Sequence, residues 1–237
     1  MRLNHAILDR ESREKKATKI IRIIESRKSL KGTKVLEIGT GSGVTAAVLA
    51  EEVGEAGAVY AIDIKDQRVV HEGYDFREVA GTALPFQDGE FDVVISNHVI
   101  EHVGSRPDQL HHLAEIKRVM KANALLYLAV PNKWRLVEPH YKIPILSWMP
   151  QQVADLVVRA SGKNEEFDCK SPSRWELRRL FSQSGFIHEE LDREALRIVG
   201  EIEGSRAAEF MSRLPKLILS TMLLIVPTFI VTARKRR

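Results

Sequence analysis

A glycine turn set between an apolar strand and a helix limits this chain more than any other feature. Residues 34–38 (KVLEI) are short and mostly apolar, as a buried strand is, and residues 44–53 (VTAAVLAEEV) have the composition of a helix ended by Gly54 and Gly57. Between them runs Glu37-Ile38-Gly39-Thr40-Gly41-Ser42-Gly43. Glycines at such a corner let the backbone turn sharply and let a ligand approach where a Cβ would otherwise stand. The alternation continues downstream. Strands are expected at 58–63, 75–80, 91–96 and 125–130, with a short helix near 67–71. A longer helix is expected over 107–121, where Leu110, Leu113, Ile116 and Met120 form one stripe. Strands alternating with helices at this spacing mean a parallel sheet of right-handed βαβ units. Ligands of such sheets sit outside the carboxyl ends of the strands, which points to residues 39–43, 63–65, 81–84 and 97–102.

Spacing separates the candidate ligands. A dinucleotide fingerprint, G-x-G-x-x-G, needs glycine or alanine where this chain has Val44, and no Gly-Lys-Ser/Thr follows to make a P-loop. The pattern is E-x-G-x-G-x-G. Glu37 puts a carboxylate at the entry to the turn, which suits a cationic ligand better than a pyrophosphate. Asp63 ends the next strand 20 residues after Gly43, a place where a ribose diol is gripped by two charge-assisted hydrogen bonds.

Together with A-L-P-F-x-D-G-x-F-D-V-V-I-S at 83–96 and the Glu101-His102 pair, these motifs resemble class I S-adenosylmethionine-dependent methyltransferases. The nearest branch is the small-molecule group that includes the quinone-biosynthesis methyltransferases. The resemblance covers residues 32–131 closely and the helix–strand pattern to 237 more loosely. It implies an α/β, Rossmann-like fold with a mostly parallel seven-stranded sheet and helices on both faces, and S-adenosyl-L-methionine as cofactor. Carried over by position, Gly39, Gly41 and Gly43 face the methionine part, with Glu37 and Thr40 in the same turn. Asp63 takes the ribose hydroxyls, Ile64 flanks the adenine, and Thr82-Ala83-Leu84 lies at the adenine edge, where many relatives have an aspartate. Asn97 and His98 stand where the methyl group is presented. The usual Pro-Gly-Gly before the fifth strand is replaced by Lys121-Ala122-Asn123-Ala124.

The implied reaction is methyl transfer to a small or lipid-like acceptor. A hydroxyl acceptor would gain from a general base, for which His98, His102 and His140 are candidates, His98 first because it ends a strand. An amine or activated carbon needs none. Two alternatives stay open: a methyltransferase acting on RNA or protein, and a non-catalytic methyltransferase-like binding protein. A nucleotide-cofactor oxidoreductase is disfavoured by Val44.

Residues 1–31 are expected to form a basic helical cap, 32–237 the methyltransferase domain, and 131–170 a lid inserted in it. Prolines 131, 139, 144 and 150 mark the lid, which either covers the domain by burying Trp134 and Trp148 or roofs the acceptor with Glu138, His140 or Tyr141. Its apolar character and the apolar run 217–231 favour a greasy acceptor. That run is short of the ~20 residues a membrane span requires and is broken by Pro227, so a core helix at 216–226 and an edge strand at 228–233 are expected, with a membrane-contacting segment as the alternative.

Residues 1–28 hold nine basic and four acidic side chains, the last four residues are all basic, and the rest carries a net charge of −5. No aromatic residues interleave with the basic ends, so they read as solvated and nucleic acid is not favoured. The single Cys169 cannot form an internal disulfide, which fits a cytoplasmic location with peripheral membrane contact open. His98-Val99-Ile100-Glu101-His102 matches a zinc-peptidase pattern, H-x-x-E-H, but follows a strand and lacks the required helix, so no metal is expected. His111 and His112 are expected near the surface of their helix.

Overall fold

The computed structural model describes residues 10–215 and 227–236. In chain order the elements are α1 (Arg10–Glu25), β1 (Lys34–Ile38), α2 (Val44–Val53), β2 (Ala58–Asp63), β3 (Asp75–Glu78), β4 (Phe91–Asn97), α3 (Arg106–Val119) and β5 (Met120–Pro131). They continue as α4 (Gln151–Ala160), α5 (Arg174–Gln183), β6 (Phe186–Glu190), α6 (Asp192–Glu203), α7 (Arg206–Arg213) and β7 (Thr228–Lys235). The strands form one seven-stranded sheet in the order β3-β2-β1-β4-β5-β7-β6. β1 to β5 pair in parallel, and β7 is antiparallel to both its neighbours. The fold is the expected one, with the strand order reversing between β1 and β4.

Period-two alternation builds a core on each face. Leu36, Val94, Leu126, Leu128 and Val130 point to the α3–α5 side, where Leu113, Ile116, Leu177 and Phe181 meet them. Val35, Val93, Ile95, Leu125 and Tyr127 point to the other side, against Ile20 and Ile24 of α1, Leu49 of α2 and Ile198 of α6. Helix α1 exists because its apolar positions fall on one stripe: Ala17, Ile20, Ile21, Ile23 and Ile24 are buried. Each buried isoleucine contributes about 1.5–3 kcal/mol before entropy is charged. α1 is therefore part of the layer that also contains α2 and α6, and its N-terminal turns reach the end of β1.

Several details differ from the sequence expectations. No helix forms at 67–71, because the Ser42 carbonyl accepts both the Val69 and Val70 amides and Asp66 holds Arg68 from the side chain. α3 stops at Val119, since Met120 already pairs with Phe91; the register shifts before Val93 meets Leu125, and residues 121–124 fill that irregularity. His112 is buried, its ring nitrogen 3.2 Å from the Ser96 hydroxyl, and burial pushes its pKa down to about 4. The strand expected at an edge, β7, lies inside the sheet, because β6 folds back to pair with its outer side. The expected helix at 216–226 lies outside the described residues. Among those described, no helix is long and apolar enough to cross a membrane.

Candidate active site

The glycine turn closes over the carboxyl end of β1. Gly39, Gly41 and Gly43 have φ of 75°, 56° and 80°, left-handed values that side chains resist. A Cβ on Gly39 would collide with Val99 and one on Gly43 with the Val70 carbonyl, so these two glycines are fixed by packing. Gly41 differs: a Cβ there would meet only the Arg13 guanidinium, at 3.9 Å, which leaves the open approach a ligand needs. Asp63 braces the turn from the end of β2. Its Oδ2 accepts from the Gly41 amide at 2.9 Å and its Oδ1 from the Ile64 amide at 2.7 Å. Each carboxylate oxygen keeps a lone pair for a ribose hydroxyl. Ile64 stands 57% exposed beside it, a flat apolar surface free to meet a base.

Glu37 is buried beneath the turn, with Oε2 accepting from the Thr40 hydroxyl at 2.6 Å. Two cations from α1 face it: Lys16 and Arg13 both act on its charge. Burial pushes Glu37 up to about 7, against the opposing pull of Thr40, Lys16, Thr45 and Arg13. Burial likewise pushes Lys16 down to about 8. A carboxylate and two cations around an open glycine match the ammonium and carboxylate of an amino acid, so the donor set fits the methionine part of S-adenosylmethionine. Arg13 and Lys16 were missed in the sequence. Their signal was there, since positions 13, 16, 20 and 24 fall on one helical face and two of them are basic on a stripe that is otherwise apolar.

A pH dependence follows from Glu37. If the ionised carboxylate holds the ligand's ammonium, affinity for S-adenosylhomocysteine should fall about tenfold per pH unit below about 7, and it should fall again above about 8 as Lys16 loses its charge. Calorimetry at pH 6 in buffers of different ionisation enthalpy should register one proton released per ligand bound. No proton release would remove Glu37 from the ammonium site.

At the end of β4 the chain makes a second tight corner. Asn97 pairs with Ala129, and His98 follows with φ 59°, a left-handed backbone on a residue that has a side chain. Strain of this kind persists where the surroundings impose it, here through the His98 amide bonded to the Ala129 carbonyl. Its Nδ1 stands 3.4 Å from Oε1 of Glu101, in the single 3₁₀ turn 100–102. Glu101 is wholly buried, with the His98 ring beside its carboxylate. Burial lowers the His98 pKa from its ordinary value, which keeps the ring neutral near pH 7. The two histidines of 98–102 thus sit on a strand end and a 3₁₀ turn, not on one helix as the peptidase pattern requires.

The adenine-edge loop is tied to α3. The Thr82 hydroxyl lies 2.7 Å from His111 Nδ1, while the Leu84 amide donates to Glu115 and its carbonyl accepts from Arg118. Thr82 is thus engaged with α3, Ala83 is exposed and Leu84 is buried. The lid has a small core of its own, with Tyr141, Leu146, Ala154, Val158, Phe167 and Cys169. Tyr141 is fully buried, its hydroxyl 2.7 Å from Asp168, and Glu138 accepts from the Tyr141 amide and meets His140 Nδ1 at 2.9 Å. Tyr141 and Glu138 brace the lid. Its tryptophans are not buried: Trp134 is 44% and Trp148 40% exposed, packed edge to face against each other. His140 leans on His102, ring centroids 4.9 Å apart, with Cys169 against both.

A family model described as "Methyltransferase domain" matches residues 36–128. Among relatives by sequence, a demethylmenaquinone methyltransferase of Staphylococcus aureus (strain JH9) is 26% identical over 186 residues, covering 70% of this chain and 73% of that protein. A solved SAM-dependent methyltransferase from Aquifex aeolicus superposes with a TM-score of 0.57 at 19% identity, over 95% of this chain and 97% of that one. Another S-adenosylmethionine-dependent methyltransferase, from Mesorhizobium loti, gives 0.60 at 12% identity, over 91% and 95%. At these identities the solved structures speak for the fold.

Proposed function

Starting from a chain that is a class I S-adenosylmethionine-dependent methyltransferase, we propose that it methylates a hydroxyl of a small or lipid-like acceptor, with His98 as general base. The observation that carries this reading is the His98–Glu101 pair at the end of β4, next to the glycine turn. With its Nδ1 proton turned to the buried Glu101 carboxylate, His98 offers the lone pair of Nε2 to an acceptor proton. The strained backbone fixes where that ring stands.

S-adenosylmethionine supplies an electrophilic methyl group on a sulfonium. The residues of the chain do the rest. Gly41, Asp63, Glu37, Arg13 and Lys16 hold and orient the cofactor, which fixes the line of attack. His98 would take the hydroxyl proton while the acceptor oxygen bonds to the methyl carbon and the carbon–sulfur bond breaks, the thioether leaving with the sulfur electron pair.

Two facts support a greasy acceptor. Trp134, Leu136, Val137, Ile145 and Trp148 leave large apolar surfaces exposed on the lid, which suits contact with a lipid or a membrane that holds one. The Staphylococcus relative is by its name a methyltransferase of a quinone lipid precursor. The test is incubation with methyl-labelled S-adenosylmethionine and, in parallel, a lipid extract, total RNA and a protein extract. Label should enter the organic-soluble fraction. Label in RNA or protein would replace this reading with one of the macromolecular alternatives.

A further inference from the structure

We propose that His102, His140 and Cys169 form a binding site for a zinc ion that ties the lid to the strand end carrying His98. Each of the three offers one ligand atom, and these atoms lie within 4.8 Å of one another. The Cys169 sulfur is 3.4 Å from Nδ1 of His140 and 3.8 Å from Nδ1 of His102. Edges of a tetrahedron built on zinc bonds of about 2.0 Å to nitrogen and 2.3 Å to sulfur run about 3.3 Å between nitrogens and about 3.5 Å from nitrogen to sulfur, so the side chains must rotate inward to close the set.

The ligands come from three separate places: the 3₁₀ turn after β4, the middle of the lid and the segment leading to α5. The Lys170 amide bonds the Glu101 carbonyl at 2.7 Å, which holds the cysteine segment against the histidine turn.

The surroundings favour a cation. Glu138, whose Oε1 stands 2.9 Å from His140 Nδ1, brings a carboxylate charge to the edge of the cluster. Glu101 is 0% exposed, and positive charge nearby stabilises a carboxylate buried in this way. Asp168 Oδ1 stands 3.4 Å from the Cys169 sulfur, which places a third carboxylate beside the cluster. The same three carboxylates that oppose a bare thiolate stabilise one bonded to a dication. Binding forms the metal–sulfur bond and releases the thiol proton to solvent. Cys169 borders a cavity of about 320 Å³ lined also by Gln109, Ser147 and Phe167.

Three protein ligands of nitrogen and sulfur suit zinc, and a fourth position remains for water or an acceptor oxygen. The site stands apart from the methyl-transfer reading, because it can be measured with neither cofactor nor acceptor present.

The full chain, stripped with a chelator, is titrated with zinc against a chelating dye and separately with cobalt(II), whose thiolate complexes absorb in the near ultraviolet. One ion per chain and a cobalt–thiolate band are expected. Cys169→Ser and His140→Ala should each weaken zinc by at least about 100-fold, and Glu138→Gln by about 10- to 100-fold. His71→Ala, at an exposed position, should bind as the parent does. Substoichiometric zinc, absence of the cobalt band, or parental affinity in Cys169→Ser overturns the site. The cobalt spectrum needs no variant, so poor folding of a mutant does not decide the question.

Discussion

Asp63→Ala weakens S-adenosylhomocysteine binding by at least about 100-fold. Two charge-assisted hydrogen bonds to a ribose diol are lost, each worth about 1.5–3 kcal/mol, and each 1.4 kcal/mol is a factor of ten. The loss has a second source. Asp63 also receives the Gly41 and Ile64 amides, so alanine frees two backbone donors at the turn that the ligand must approach. Asp63→Asn removes the charge but keeps one acceptor oxygen, so it retains one of the two backbone bonds while its NH2 faces the other donor. An intermediate loss of about tenfold is expected. Calorimetric titration of both variants, with far-ultraviolet circular dichroism to verify folding, measures this. Parental affinity in both would remove the ribose assignment from Asp63.

His98→Ala lowers kcat by about 10²- to 10⁴-fold, the usual contribution of a positioned general base, while the dissociation constant for S-adenosylhomocysteine stays within about twofold. The split is diagnostic. A residue that only shaped the cofactor pocket would move affinity, whereas one that takes the acceptor proton moves turnover. Glu101→Gln keeps the shape beside Nδ1 and removes the charge, so a smaller fall of about tenfold in kcat is expected, again with cofactor binding retained. Unchanged turnover in His98→Ala would mean an acceptor that needs no base, such as an amine or an activated carbon, and the hydroxyl reading would be lost.

The parts of the fold that were legible in the sequence are those whose signals are local. β1, β2 and β4 are runs of Val, Ile and Leu bounded by glycine or by a turn, and the structure places them within a residue of expectation. The region 67–71 misled because its apolar spacing was read alone, while the Ser42 carbonyl, 27 residues upstream of Val69, decided its backbone. β7 misled for a similar reason: strand character can be read from Thr228 to Ala233, but which strands will flank it cannot. At the site, the glycines and Asp63 announced themselves by spacing. Lys16 and Arg13 did not, because a lysine in a basic helix looks like solvated charge until the face it occupies is known to be buried. Cys169 lies 29 residues from His140 and 67 from His102, with no pattern linking the three. Only the folding of the lid onto the turn after β4 brings them together.

The position of β7 bears on how the chain is made. β6 has no pairing partner except β7 among the described strands, and β7 begins 38 residues after β6 ends. At a synthesis rate of about 5–20 residues per second, β6 waits about 2–8 s, and the outer side of β5 about 5–19 s, for the strand that fills the space between them. During that wait β5 leaves the backbone N–H and C=O groups of residues 126–131 that β7 will pair with along an open edge, a template for pairing with another chain. The ribosome must therefore deliver the last strand before the nascent sheet meets a neighbour. Crowded polysomes, or a pause in translation after residue 190, would divert the chain to aggregate although every residue of the glycine turn had long since emerged.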